Sequence, residues 1–183
     1  MSKIGKKPID VAGVQVTVKN NEISYKGKNR SGSYILPAGL LARIDGSKLF
    51  IEQEITDKTT RNMWGLHRAL LASTLTGAAQ DFTRSLEING LGFKAQLSGN
   101  SVVFALGYTH KITLELPKEV KLAVDKTGQK LTFTSFDKEK LGHVCASIRA
   151  LRPPEPYKGT GIKFAEEVIR RKAGKAKAGS EGA

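Results

Sequence analysis

Apolar and polar side chains alternate at Val14, Val16 and Val18, a two-residue period that predicts a half-buried strand. Asn20-Asn21 supplies a turn, and Ile23 and Tyr25 resume the alternation. Gly27 to Gly32 form a second, basic turn, and short apolar runs predict strands at Tyr34–Leu36 and Leu49–Ile51. The spacing then lengthens. Asp57 suits an N-cap, because its carboxylate can accept from the free amides of a first helical turn. A helix is predicted from there to about Leu75, with Met63, Leu66, Leu70 and Leu71 as its apolar face and Gly77 as its C-cap.

The same order of elements then recurs. Strands are predicted at Leu86–Ile88, Phe93–Leu97, Val102–Leu106, Ile112–Leu116, Leu122–Val124 and Leu131–Thr134. Asp137 caps a helix carrying Leu141, Val144, Ile148 and Leu151, and Pro153 ends it because proline cannot continue the hydrogen-bond ladder. The chain also matches itself at an offset of roughly 80 residues, too long and too few in copies for a solenoid. Leu36-Pro37 returns as Leu116-Pro117, Asp57-Lys58 as Asp137-Lys138, and Arg68-Ala69-Leu70 as Arg149-Ala150-Leu151. The stretch 20–24 parallels 99–103, and Asp45 with Lys48-Leu49 parallels Asp125 with Lys130-Leu131. Several strands with one helix packed on them, twice over, predict an α+β fold. It comprises two similar tandem domains, each with antiparallel or mixed sheets and one helix around a single core. The expected boundaries are residues 1–81 and 82–169, followed by a basic tail over 170–183. A short helix is predicted over 162–171, and the basic tail, with only small neutral residues between its cations, cannot bury a core and is expected to be disordered on its own.

Composition narrows the function. Thirty Lys and Arg against seventeen Asp and Glu leave a formal charge of +13 in 183 residues, with a pI near 9.9. A charge of this size points first to a polyanion, nucleic acid ahead of a membrane surface. Residues 1–81 hold twelve basic and seven acidic residues, and 82–183 hold eighteen and ten, so the second half is expected to carry more of the contact. Hydrophobic residues make up 39%, enough for a packed core. No apolar run approaches the roughly 18 residues that span a bilayer, and the basic start MSKIGKKPID lacks the apolar stretch of a secretory signal. A lone cysteine, Cys145, permits no intrachain disulfide and fits a reducing compartment.

Catalytic chemistry finds little footing. The three histidines, His67, His110 and His143, are ungrouped with each other and with Cys145, so no zinc set forms. His143 and Cys145 are two residues apart on a predicted helix and point to different sides of it; Cys145 reads as a small buried hydrophobe and His143 as a surface residue. Gly90-Leu91-Gly92 lacks the third glycine and following helix of a dinucleotide fingerprint. Gly27 and Gly32 have the spacing of a phosphate-binding loop, but Ser33 stands where it needs lysine. The carboxylates are scattered and mostly beside lysines, Trp64 reads as a packing residue, and neither a catalytic residue nor a cofactor is expected.

What stands out is basic and lies in loops. KGKNRSG (26–32) carries three cations on small residues. Lys94 follows a glycine pair, and Gly107 to Lys111 form a turn containing Tyr108, Thr109 and His110. PPEPYKGTGI (153–162) follows, its three prolines, Pro154 among them, fixing an extended backbone. Tyr157 offers a ring for stacking on a base or sugar, Lys158 adds charge, and Gly159 and Gly161 permit close approach of a sugar–phosphate backbone. Beyond lie Lys163, Arg170, Arg171, Lys172, Lys175 and Lys177. From these residues alone, an RNA-binding structural protein, a free-standing nucleic-acid-binding regulator and an enzyme acting on RNA all remain open, the last without any constellation to support it.

These stretches are also where the chain resembles the large-subunit ribosomal protein six family of the bacterial type. The resemblance runs from Ile4-Gly5-Lys6 and Pro8-Ile9 through residues 64–95 and LGYTHKI (106–112) to Asp137-Lys138, Gly142, Ile148-Arg149 and PPEPYKGTGI, its most specific signature. Thr160 stands where the family usually has lysine, and Lys111 where it commonly has proline. The resemblance implies a non-enzymatic constituent of the large ribosomal subunit, in the cytoplasm, present as a single copy per ribosome. It implies binding to 23S-type rRNA, mainly through the second domain, near the sarcin–ricin loop and the base of the stalk. Neighbouring ribosomal proteins and translation factors would lie close by, and no membrane is involved. Carried over by position, the rRNA contacts are Lys94, the turn Tyr108, Thr109, His110 and Lys111, then Arg152, Pro154, Tyr157, Lys158, Gly159, Thr160, Gly161 and Lys163. Arg170, Arg171, Lys172, Lys175 and Lys177 of the tail complete the set, and Arg149 is placed to reach RNA beside Arg152.

Overall fold

The computed structural model describes residues 2–55 and 57–175. They divide into two compact units. One holds the residues up to 82 together with 135–139, and the other 83–134 with the residues from 140 onward.

The first unit contains six strands and a helix: β1 (Ile9–Asp10), β2 (Gln15–Lys19), β3 (Glu22–Lys26), β4 (Ser31–Ile35), β5 (Leu40–Asp45), β6 (Lys48–Gln53) and α1 (Lys58–Ala79). They form two antiparallel three-stranded sheets, β2-β3-β4 and β1-β6-β5. Alternation in β3 sends Ile23 and Tyr25 inward, and alternation in β6 does the same for Leu49 and Ile51. These join Leu36, Leu40, Leu71 and Leu75 in one core, under α1.

The second unit holds, apart from their end residues Phe82, Ser135, Lys138 and Glu139, the elements β7 (Phe82–Asn89), β8 (Lys94–Ser98), β9 (Ser101–Ala105), β10 (Ile112–Glu115), β11 (Lys121–Val124), β12 (Lys130–Ser135), α2 (Lys138–Leu151) and β13 (Gly161–Phe164). The antiparallel sheet β10-β9-β8 matches β2-β3-β4 in kind, and β11-β12-β7-β13 forms a four-stranded sheet. Phe104, Phe133, Leu86, Ile88, Leu131 and Ile148 are almost wholly buried.

The sequence repeat is a structural one. Leu36 N–H donates to the Asn21 carbonyl at 2.8 Å, and its counterpart Leu116 donates to Asn100 at 3.0 Å. Leu40 N–H reaches the Pro37 carbonyl at 3.3 Å, and Val120 reaches Pro117 at 3.0 Å. Each copy thus closes its three-stranded sheet on a buried leucine and turns at the following proline in the same way.

Four local expectations are corrected. The helix expected over 162–171 does not form, since 161–164 is β13, paired rung by rung with β7 from Gly161–Asn89 to Phe164–Leu86. The spacing of Ile162, Ala165 and Val168 imitates a helix, but Ile162 is buried by strand pairing and Val168 is 93% exposed. Two strands, β1 and β5, carry too short or too irregular an alternation to be predicted. Helix α1 buries Trp64, Leu71, Leu75 and Ala78, whereas Met63, Leu66 and Leu70 are 43%, 55% and 41% exposed. The indole decides between these overlapping stripes, because Trp64 Nε1 donates to the Ile51 carbonyl at 2.7 Å and turns that side of the helix to the sheet. Finally, Gly77 does not cap α1. It is buried within the last turn, where a Cβ would stand 1.9 Å from the Phe136 carbonyl oxygen, and Gln80 is the C-cap.

The N-cap positions fall where expected, but at α1 the Asp57 side chain makes no capping hydrogen bond to the helix. At α2, Asp137 accepts from the Glu139 N–H at 3.0 Å. At α1, the Asp57 carboxylate takes the Thr59 hydroxyl, and this contact chiefly holds its pKa below the usual aspartate range. Helix α2 stops at Leu151, just ahead of Pro153.

Candidate nucleic-acid interface

The basic loops of the second unit are built around α2's C-terminal end. Arg152 follows the helix, and its Nη1 donates to the Leu106 carbonyl at 2.6 Å. Its guanidinium lies 4.9 Å from the centre of the Phe93 ring and 5.1 Å from that of Tyr108. Tyr108 in turn donates its hydroxyl to the Leu151 carbonyl at 3.0 Å. The turn 107–111 is thereby tied to the end of α2. Tyr108 keeps 46% of its surface exposed and stacks on His110 at 6.2 Å with an interplanar angle of 22°. Thr109, His110 and Lys111 project from this anchored base as exposed side chains.

The loop 152–161 closes on itself. Glu155 N–H donates to the Thr160 carbonyl at 2.9 Å, Gly159 N–H to the Glu155 carbonyl at 3.0 Å, and Thr160 Oγ1 to Glu155 Oε2 at 3.0 Å. Ile162 N–H to the Arg152 carbonyl at 2.8 Å fixes the loop's base. At Gly161, φ is +133°, and a Cβ would stand 2.6 Å from the Pro153 carbonyl oxygen. Gly159 and Gly161 are both buried, so the close approach they permit is of the chain to itself. Tyr157, 53% exposed, and Lys158 occupy the tip, with Pro154 partly buried behind them.

The following segment returns to this loop. Lys172 N–H donates to the Pro156 carbonyl at 2.9 Å, and the Arg171 guanidinium passes beside Gly159. Arg171 and Lys172 therefore join Lys158 and Tyr157, with Arg170 and Lys175 exposed on the same segment. Lys177 lies outside the described residues.

Three of the sequence-selected cations are engaged inside the protein. Lys163 pairs with Glu87 at 3.0 Å across β13 and β7. Arg149 makes a two-pronged ion pair with Glu167, at 2.9 and 2.5 Å, and Arg152 is held as described. The Arg149 hydrogen bond is the main cause that holds the Glu167 carboxyl below the usual glutamate range, and it raises the Arg149 pKa. Lys94 stands apart from the loop cluster, at the start of β8 beside Lys111 and the β11–β12 turn. Phe93, the ring beneath Arg152, reads from the sequence only as the start of a strand, and its place one residue before Lys94 is the sole sign of a role at this site.

Among the described residues, no three His, Cys, Asp or Glu side chains are grouped to hold a metal. Cys145 is fully buried, and burial pushes its thiol up to about 11. His143 is exposed on α2. No helix among the described residues is long and apolar enough to cross a membrane.

The profile of the family described as Ribosomal protein L6 matches residues 89–165, which include β8–β13 and both loops. The Large ribosomal subunit protein uL6 of Bifidobacterium animalis subsp. lactis is 43% identical over 96% of this chain and 98% of its own length. The proteins of the same name from Syntrophomonas wolfei subsp. wolfei and Beijerinckia indica subsp. indica are 42% and 39% identical, over 96% and 97% of this chain and 98% and 100% of theirs. With identity at this level along nearly the whole chain, it belongs to the ribosomal protein L6 family.

Proposed function

We propose that this chain, a structural and non-enzymatic protein of the large ribosomal subunit, is seated there by gripping folded rRNA with the loop cluster of its second unit. The observation that carries this is the joint surface of Tyr157, Lys158, Arg171 and Lys172 on a self-closed loop, with the anchored turn 107–111 tied to the same end of α2. Exposed cations on a preformed frame displace counterions from phosphates without first having to be ordered. Tyr108, His110 and Tyr157 add rings on which a base or ribose can stack. Arg152, Gly159, Gly161 and Lys163 serve the interface by holding its shape, and Thr160 by closing the loop on Glu155. The site on the RNA is a 23S-type rRNA surface near the sarcin–ricin loop and the stalk base, in cytoplasmic ribosomes, beside neighbouring ribosomal proteins and within reach of translation factors, with one copy per ribosome.

Replacing Lys158, Arg170 and Arg171 together by glutamine tests this in cells. The variant should fold, because none of the three side chains has an internal hydrogen bond or ion pair among the described residues. Its fraction co-sedimenting with large subunits at moderate salt should fall sharply against the unaltered chain. Undiminished incorporation would overturn the proposal.

A further inference from the structure

Two glutamates interrupt the otherwise basic stretch from Lys163 to Lys175, and their surroundings differ. Glu166 is exposed and has no hydrogen bond or ion pair among the described residues. Glu167 closes the turn that ends β13, its N–H donating to the Phe164 carbonyl at 3.0 Å. Its carboxylate is fully engaged: both oxygens take the Arg149 guanidinium, and Oε2 also accepts the Phe164 N–H at 3.2 Å. A bare carboxylate in this segment would repel a polyanion. Held by α2, it turns the chain instead. Five residues on, the Lys172 N–H is fixed to the Pro156 carbonyl at 2.9 Å. Neither strand nor helix orders the stretch between, and Val168 is 93% exposed. The attachments at Glu167 and Lys172 therefore define the path that carries Arg170 and Arg171 to the loop tip, past Gly159. Without the first of them, the nearest fixed point upstream is Ala165, whose N–H donates to the Ser85 carbonyl at 3.0 Å.

The duplicated helix carries the same device. Arg149 has its counterpart in Arg68 of α1, within the repeated Arg-Ala-Leu. Arg68 also fastens a flanking basic stretch to its helix, donating to the Lys7 and Pro8 carbonyls at 3.0 and 2.7 Å. In each copy, then, the arginine at this helix position holds a neighbouring segment of chain. Resting on the reading of the loop cluster as the rRNA interface, we infer that Glu167, acting through Arg149, is a positioning residue of that interface. It touches no RNA, and it sets the path by which Arg170 and Arg171 arrive there. Flexible cations must be ordered as they bind, and that ordering subtracts from affinity.

The sign of the effect separates this role from simple electrostatics, because removing a negative charge from an RNA-binding segment favours binding. The full chain is titrated at fixed salt with a 23S-type rRNA transcript carrying the sarcin–ricin loop. Glu166→Gln and Glu167→Gln change the charge equally, one residue apart. Glu166→Gln should bind at least as tightly as the unaltered chain, and Glu167→Gln several-fold more weakly. In the free chain, hydrogen exchange at the Lys172 amide should be several-fold faster in Glu167→Gln and unchanged in Glu166→Gln. Retained protection of the buried Ile88 amide shows that the fold is intact. Arg149→Lys keeps every charge but loses the two-pronged fork, so it should act as Glu167→Gln does, and it carries the test alone if that variant does not fold. Binding by Glu167→Gln as tight as by Glu166→Gln, or an unchanged Lys172 amide, would overturn the inference. Replacing Lys158, Arg170 and Arg171 together by glutamine provides the separate check. Weak binding by that variant beside tight binding by Glu167→Gln removes the positioning role and leaves the interface standing, whereas undiminished binding by it removes both.

Discussion

Gly161 and Arg152 matter at the scale of single residues because each does what its neighbours in the sequence cannot. Any side chain at 161 meets two carbonyl oxygens at a backbone angle that L-residues rarely adopt. Gly161→Ala should therefore cost about 1–3 kcal/mol or more in denaturant unfolding. Arg152 fills a planar slot between Phe93 and Tyr108 while donating to a carbonyl, which a lysine's point charge does not reproduce. Arg152→Lys should loosen the turn 107–111, seen as faster hydrogen exchange at its amides, with α2 unaffected. Glu167 adds a pH dependence. Its folded-state pKa is depressed, so the stability it contributes is full above the usual glutamate range and is lost as pH falls through the lower folded value. Melting followed from neutral to acid pH should show a shallower decline for Glu167→Gln than for the unaltered chain.

Among the elements, α1 shows how far patterning reaches. Its start at Asp57 was legible, because helical spacing and the residue type at an N-cap are local properties, whereas the helix runs past the expected end to Ala79 and the Asp57 carboxylate makes no capping bond to its first turn. Which apolar stripe faces inward was not legible, because Trp64 and Leu66 belong to competing stripes and the choice rests on a hydrogen bond to Ile51, thirteen residues away. The assignment gives a sharp contrast. Leu71→Ala should destabilise by about 2–5 kcal/mol, and Leu66→Ala by roughly 0.5 kcal/mol or less, in the same unfolding assay. Strand β13 was missed for a similar reason, since GIKF reads as strand only once β7 lies beside it. In the candidate interface, the exposed members at 108–111 and 157–158 were legible from residue type and turn chemistry. The engagement of Lys163 by Glu87 and of Arg149 by Glu167 was not, because each ion pair closes across elements distant in the chain.

For the whole molecule, charge and duplication take over. Both units share sheet order and matching leucine hydrogen bonds, yet the second alone continues past its helix into the self-closed loop 152–161 and strand β13. The duplicated scaffold has thus been specialised by its loops and not by its core, in keeping with function residing in sites carried by a fold. If the loop cluster neutralises roughly 6–10 phosphates, affinity for an rRNA fragment should fall by about three to five decades between 50 and 200 mM salt. Titration at several salt concentrations measures that slope, and a flat response would contradict the scheme.

Strand β13 carries one more implication, for the order in which the protein is made. Its partner β7 leaves the translating ribosome roughly seventy residues earlier, so a long-standing sheet edge waits bare on the nascent chain until Gly161–Phe164 emerges. A polypeptide cut short before residue 161 would keep that edge open and would also lack the Ile162–Arg152 hydrogen bond that fixes the loop's base. Such fragments should clump or be degraded instead of competing for a place on the subunit, so that only chains that have reached β13 present a closed sheet.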